Sequence, residues 1–247
     1  MAFDSADILT WCILYCIATL VSATTSSWLV VKNIGKPRLD PSKIKRELKL
    51  GLSFAIGLSA QNIYNDLDKS MLLKLSTERN TGIYGAAFHI LNVAFTPIQS
   101  LALATFRKFF QQGASGIKGS FALCKKILPY CLAYSLLAVV GLVALAPLLT
   151  LILGSEYQDS AKALVWLSPT IFLRTMHLFA ADTLTGANYQ SSRTTAQVLV
   201  AILNGVLNFW LIPLYGWHGA IWATIASEFM LMVLLWGFIY KYSRQTA

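Results

Sequence analysis

The chain has 247 residues, of which 56% are hydrophobic and only 13% are charged. Soluble globular domains carry about 25% charged residues, so too little charge is present to cover a water-exposed surface, and we expect lipid to surround most of the chain. The formal net charge of +9 does not indicate a nucleic-acid-binding protein, because the basic residues stand in short clusters between apolar stretches, which is how membrane topology is encoded.

Seven stretches have the length and apolarity of a transmembrane helix, which needs about 20 mostly apolar residues. In chain order they are residues 8–31, 50–75, 83–106, 127–153, 161–186, 195–214 and 218–240. The second stretch carries several charges, and polar groups interrupt the fifth. The predicted fold class is therefore all-α: a polytopic membrane helix bundle with about seven transmembrane helices.

The basic residues lie mainly on one side of these predicted spans. Most Lys and Arg residues follow the first, third, fifth and seventh spans. Because basic loops stay in the cytoplasm, we predict that residues 32–49, residues 107–126 and the C-terminus are cytoplasmic and that the N-terminus is outside. The predicted location is the cell inner (cytoplasmic) membrane, crossed several times.

Three regions are predicted along the chain. Residues 1–36 contain one transmembrane helix with no basic anchor before it, and we expect this helix to come from an otherwise missing first lobe. Residues 37–49 read as a basic cytoplasmic linker with an interfacial helix, whose start Ser42 caps. Residues 50–247 are expected to form a six-helix C-terminal lobe.

Three motifs follow one another at corresponding positions of these spans. The first is D-K-S-M-L-L at 68–73 with G-I-Y-G-A-A at 82–87, and the second is L-G-S-E-Y-Q-D-S-A at 153–161. The third joins asparagines at 204 and 208 to I-P-L-Y-G-W-H-G-A at 212–220. Together they resemble the polysaccharide (Wzx-type) flippases of the multidrug/oligosaccharidyl-lipid/polysaccharide exporter superfamily, over roughly residues 8–243.

This resemblance implies a fold of two six-helix lobes around a central cavity. The present chain would supply the sixth helix and the whole second lobe. The resemblance further implies that the partner is a lipid-linked oligosaccharide on an undecaprenyl-type diphosphate carrier, translocated by alternating access for surface polysaccharide or lipopolysaccharide O-antigen synthesis.

The second predicted helix carries a polar face. Ionisable side chains inside a membrane are costly and usually face a cavity or a partner. Asn62, Asn65, Asp66 and Lys69 fall within about 100° of one another around the helix axis. Asp68 lies off this face, so we expect it to meet a neighbouring helix.

Further ionisable groups stand in later predicted helices. In the fifth, Arg174 and His177 are three residues apart, and Asp182 lies about 80° from Arg174 around the axis. His89 in the third helix and Glu228 in the seventh are solitary, and we expect them to lie in helix–helix contacts.

Two roles are predicted for these groups. Lys69 and Arg174, with Asn62 and Asn65 beside them, are candidate substrate-binding residues, because ammonium and guanidinium groups pair well with phosphate oxygens. The candidate coupling residues are Asp66, Asp182 and His177, which would bind and release a proton or sodium ion as access alternates. The alternative for both sets is purely structural pairing, Asp66 with Lys69 and Arg174 with Asp182.

The leading interpretation is a membrane transporter, fragmentary or half-size, that resembles the lipid-linked oligosaccharide flippases. Two alternatives stay open: a multidrug/cation antiporter of the same superfamily, and a truncated remnant that does not transport. A second lobe or a homodimer would complete the cavity. No Walker A or His-Glu-x-x-His motif is present, so no catalytic residue, metal ligand or cofactor is predicted, and an enzyme is not expected.

Overall fold

The structure is a computed structural model, and it describes residues 5–35 and 41–245. Within these ranges the chain forms helices joined by short turns, with no strand, which confirms the all-α prediction. The helices are α1 (Ser5–Ile34), α2 (Pro41–Leu75), α3 (Glu78–Gly113), α4 (Ile117–Leu153), α5 (Gln158–Leu167), α6 (Thr170–Gly186), α7 (Gln190–Tyr215) and α8 (Trp217–Gln245), with a 3-10 turn at Ser155–Tyr157 before α5.

The chain divides into two compact units, Met1–Leu48 and Lys49–Ala247. The first unit contains α1 and the beginning of α2, and the second contains the remaining helices. Residues 36–40 of the predicted linker lie outside the described residues, and the rest of the linker is the first part of α2. The assignment of α1 to a missing lobe stays a prediction.

Five of the described helices are long and apolar enough to cross a membrane: α1, α3, α4, α7 and α8. The segments Ser155–Leu167 and Thr170–Gly186 provide a sixth crossing if they count as one span, bent by 43°. The predicted span 161–186 is therefore broken between α5 and α6. The predicted span 50–75 is helical, but α2 is not among the apolar helices, because it carries charges. The composition of the bundle is that of a membrane-embedded protein.

The predicted cytoplasmic connection at 107–126 is mostly helical. α3 continues to Gly113 and α4 begins at Ile117, so only residues 114–116 turn the chain. At Gly116 the backbone φ is +92°, a value that L-residues with a side chain rarely adopt. The predicted spans stop short of this turn on both sides, because the residues next to it include basic ones that lower the local hydropathy.

The core of the second unit is centred on α6. This helix packs against α3, α4, α7 and α8, and most of its side chains are buried. α3 and α6 approach closely at their C-terminal ends, where a Cβ atom added to Gly186 would lie 2.5 Å from the Phe109 carbonyl oxygen. Glycine therefore permits a backbone contact that positions these two helices relative to each other.

Candidate functional site

A cavity of about 380 Å³ lies between α2, α3 and α6 in the second unit. Its charged and polar lining includes Asp66 and Lys69 from α2, His89 and Asn92 from α3, and Arg174 from α6. The helices bring together residues that are more than 100 positions apart in the sequence, as between Asp66 and Arg174. The cavity is open to the surface of the described structure, since Asp66 and His89 are exposed whereas Phe88 and Arg174 are buried.

Two cations meet over one aromatic ring in this cavity. The Lys69 Nζ lies 4.5 Å from the centroid of the Phe88 ring, and the Arg174 Cζ lies 4.8 Å from the same centroid. Lys69 also forms an ion pair with Asp66, with Nζ and Oδ1 2.7 Å apart. Phe88 thus holds both positive groups at the cavity wall through cation–π contacts.

Arg174 is fixed by partners on two other helices, the buried Glu228 and the half-buried Asn92. Its Nε donates to Oε1 of Glu228 at 2.7 Å, and its Nη1 donates to Oδ1 of Asn92 at 3.0 Å. The second carboxylate oxygen of Glu228 lies 2.5 Å from Nε2 of His177. One carboxylate therefore links two basic side chains of α6 to α8, and it orients the guanidinium toward the cavity.

This cluster corrects two predictions about pairing. Glu228 is not solitary, since it contacts Arg174 and His177 of α6, and its predicted helix–helix contact is confirmed. Arg174 pairs with Glu228, whereas Asp182 lies eight residues away along α6, about 12 Å along the helix axis. The 80° angle between Arg174 and Asp182 placed them on neighbouring faces, but the axial separation is too large for a direct contact.

A second buried carboxylate, Asp68, has hydroxyl and amide partners. Its Oδ2 accepts from the Tyr84 hydroxyl at 2.6 Å and from Thr224 Oγ1 at 2.8 Å. Its Oδ1 accepts from Asn208 Nδ2 at 2.6 Å, and the same nitrogen lies 2.9 Å from Oδ1 of Asn204. Asp68 thereby joins α2 to α3, α7 and α8, in agreement with the expectation that it meets a neighbouring helix.

The Asp68 cluster has a distinctive chemistry. Among the described residues, no Lys, Arg or His forms an ion pair with Asp68. Asn208 Oδ1 is buried without a hydrogen-bond partner in the described part of the chain. A carboxylate beside hydroxyl and amide oxygens is the type of site that holds a proton or a small hard cation.

A third charged pair lies near the opposite end of α6. Arg193 Nη1 is 3.7 Å from Asp182 Oδ1 and donates to Thr185 Oγ1 at 2.9 Å. Both members of the pair are buried. Asp182, predicted as a coupling residue, is therefore placed beside Arg193, a residue that was not predicted for any site.

The remaining predicted residues are distributed as follows. Asn62 is exposed and is not part of the cavity lining. The side chain of Asn65 lies outside the described residues. His89 is exposed and lines the cavity, so its predicted helix–helix contact is wrong.

Sequence reasoning missed Glu228, Arg193 and most partners of Asp68 as site residues. A signal was present in the last two helices, where polar residues recur four positions apart, Asn204 with Asn208 and Thr224 with Glu228. Residues at this spacing share one helix face, and all four are buried.

Comparison with known proteins gives no relative from which a role might be transferred. No protein-family model, no curated protein and no solved structure matches this chain. The argument for a function therefore depends on the geometry of the site and on the sequence patterns.

Proposed function

We propose that this chain is part of a membrane transporter that moves an anionic, lipid-linked oligosaccharide across the bilayer. The observation that carries the proposal is the polar cavity at which Lys69 and Arg174 both lie over Phe88. Ammonium and guanidinium groups bind phosphate and carboxylate oxygens, and within a low-dielectric bundle they do so more strongly than in water. The cargo that suits this wall carries a diphosphate or an acidic sugar.

The same contacts favour an anionic cargo over an organic cation. A site for organic cations needs open aromatic faces or acidic groups. Here Phe88 already has two of the protein's own cations over its ring, and the acidic group Asp66 is paired with Lys69. The flippase interpretation therefore has more support than the cation antiporter.

The resemblance to the Wzx-type polysaccharide flippases supplies the rest of the proposal. It suggests a lipid carrier of the undecaprenyl diphosphate type, alternating access in the cell inner membrane, and a cytoplasmic C-terminus. A second lobe or a second copy of the chain would enclose the cavity on its other side.

Transport of this kind needs an energy source, and the proposed source is exchange of a proton or sodium ion. The predicted coupling residues Asp66, Asp182 and His177 each contact an oppositely charged or hydrogen-bonding partner. We add Asp68 to these candidates, because its partners in the described structure are hydroxyl and amide groups. Loss or gain of one small cation there would change the charge of a buried cluster that joins four helices.

The test is complementation of a flippase-deficient bacterial strain, with surface polysaccharide as the readout. We expect the wild-type chain to restore surface polysaccharide and Lys69→Glu to lower it by about tenfold or more, since the substitution turns an attractive charge into a repulsive one. Lys162→Glu is a matched control, because Lys162 pairs with Asp159 at the same three-residue spacing, 3.2 Å apart, away from the cavity.

Three outcomes would count against the proposal. Equal polysaccharide levels with both lysine variants would remove Lys69 from the substrate path. Saturable binding of tetraphenylphosphonium to the purified protein, lost in Asp66→Asn, would favour the cation antiporter. Failure of the wild-type chain, with the protein present in the membrane of a host that makes the substrate, would favour the remnant.

A further inference from the structure

A second cavity, of about 370 Å³, lies between α2, α3, α6 and α7. Apolar side chains form most of its wall, among them Leu58, Leu103, Phe106 and Leu178. Its charged groups are Asp182 and Arg193. The cavity therefore combines a hydrocarbon-like surface with one ion pair.

Arg193, which lines this cavity, has a hydrogen-bond donor without an acceptor in the described structure. The residue is only 7% exposed, and its Nε is buried with no hydrogen-bond acceptor among the described residues. Its Nη1 donates to Thr185, and Asp182 lies 3.7 Å away, beyond hydrogen-bond distance. A guanidinium group carries five N–H donors. A buried donor without an acceptor costs free energy unless a ligand, an anion or a water molecule accepts its hydrogen bond.

The position of Arg193 suits the headgroup of a lipid. Arg193 is three residues from the start of α7, about 5 Å along the helix axis, at the end of the bundle that the basic residues assign to the cytoplasm. At the rim of the cavity, Leu103 is 79% exposed and Leu58 is 41% exposed. An oxyanion at Arg193 would therefore sit near the interface, while an attached hydrocarbon chain lies along the apolar wall toward the lipid.

We propose that this second cavity is a loading site for a lipid phosphate, in which Arg193 binds the phosphate or diphosphate and the apolar wall takes the first part of the lipid chain. The inference rests on the proposed function and specifies where the cargo first binds. Arginine and phosphate pair in a bidentate geometry that fixes orientation as well as energy. Gln99 lines both cavities, so the loading site lies next to the cavity at Lys69 and Arg174.

Asp182 gives the loading site a means of release. Its carboxylate is close enough to attract Arg193, and a phosphate bound there must share the guanidinium with it. The two anions compete, so Asp182 weakens phosphate binding. Asp182→Asn keeps the shape and an acceptor oxygen but removes the charge, and we expect it to bind lipid phosphates more tightly, an effect that a merely structural residue would not produce.

The experiment is photo-crosslinking of the purified full chain in phosphatidylcholine nanodiscs with a diazirine-bearing farnesyl diphosphate, followed by mapping of the crosslinked peptides. We expect saturable crosslinks on α3 around residues 102–106, competed by farnesyl diphosphate but not by farnesol or inorganic pyrophosphate. Arg193→Gln should weaken this signal by about tenfold or more, and Asp182→Asn should strengthen it. The matched control is Arg244→Gln, which removes an exposed arginine at the same end of the bundle.

The possible contrary results separate this inference from the proposed function. Crosslinks that map only to the cavity at Lys69, or that persist unchanged in Arg193→Gln, would overturn the loading site and leave the lipid-anion transporter intact. Competition by pyrophosphate as strong as by farnesyl diphosphate would mean that free phosphate, not a lipid, is the ligand. Absence of any specific crosslink in the wild-type protein would contradict both. If Arg193→Gln does not fold, unchanged crosslinking in Asp182→Asn overturns the loading site by itself.

Discussion

Two buried carboxylates in this bundle have nearly the same exposure and opposite surroundings. Glu228 is 1% exposed and contacts an arginine and a histidine, whereas Asp68 is 2% exposed and contacts a tyrosine, a threonine and an asparagine. The charge of Glu228 is therefore balanced within the protein, and its contacts hold the Arg174 side chain in place. The charge of Asp68 is not balanced in this way, so we expect an external proton or cation to act at Asp68. The two carboxylates therefore differ in the charge of their hydrogen-bonding partners and not in their burial.

The largest loss of stability should follow from removing the carboxylate of Glu228. Glu228→Ala leaves Arg174 buried without its carboxylate, and we expect the free energy of unfolding to fall by about 3–5 kcal/mol. Chemical unfolding in detergent micelles measures this change. Glu156→Ala is the control, because Glu156 is exposed and its loss should cost less than about 0.5 kcal/mol.

The double variant Arg174→Met with Glu228→Met sharpens this test. If the pair is a balanced unit, the double variant should be more stable than Glu228→Ala, since replacing a buried ion pair by apolar side chains is often neutral. A double variant as unstable as the single one would mean that the cost comes from packing and not from unbalanced charge.

The stability of the protein should depend on the charge of Asp68 and on the cation in solution. Asp68→Asn places an amide N–H₂ where three donors now find acceptors, so we expect the free energy of unfolding to fall by about 1–3 kcal/mol. In addition, sodium chloride should raise the unfolding temperature of the wild-type protein relative to choline chloride, and Asp68→Asn should abolish that difference. Glu156→Gln, at an exposed carboxylate outside the cluster, should retain it. A sodium response that survives Asp68→Asn would show that the cation binds elsewhere.

The smallest effect concerns a single hydroxyl group of the Asp68 cluster. Thr224 Oγ1 lies within hydrogen-bond distance of Asp68 and of the Ala220 carbonyl, so we expect Thr224→Val to lower the free energy of unfolding by about 1 kcal/mol. Thr195→Val removes the same type of hydroxyl-to-carbonyl bond at an exposed position, from Thr195 to Ser191, and should have almost no effect. Equal stability losses in the two variants would mean that the contact to Asp68 contributes nothing.

Helical periodicity was sufficient for features that lie within one helix. The spacing of Asp66 and Lys69 predicted a pair, and the structure contains it. The angle of Asp68 placed that residue on a different face, where it contacts three other helices. These relations depend only on the geometry of a regular helix, which every residue in it shares.

Contacts between side chains of different helices could not be predicted from the sequence. Arg174 and Glu228 are 54 positions apart, and their contact depends on how α6 and α8 cross, which a single sequence does not specify. The alternative contact between Arg174 and Asp182 is wrong, because it considered only their angle around the helix axis and not their distance along it. The break between α5 and α6 was also missed: Ser168 and Pro169 stand there, but the apolar stretches on both sides were read as one span.

The backbone contact between α3 and α6 has a mechanical consequence. A single methyl group at Gly113 or Gly186 would clash with the opposite backbone, so α3 and α6 pack backbone to backbone at that point. Both cavities are lined by residues of α2, α3 and α6. If a cargo passes between the cavities as proposed, we expect α3 and α6 to stay in contact and α2 to move relative to them.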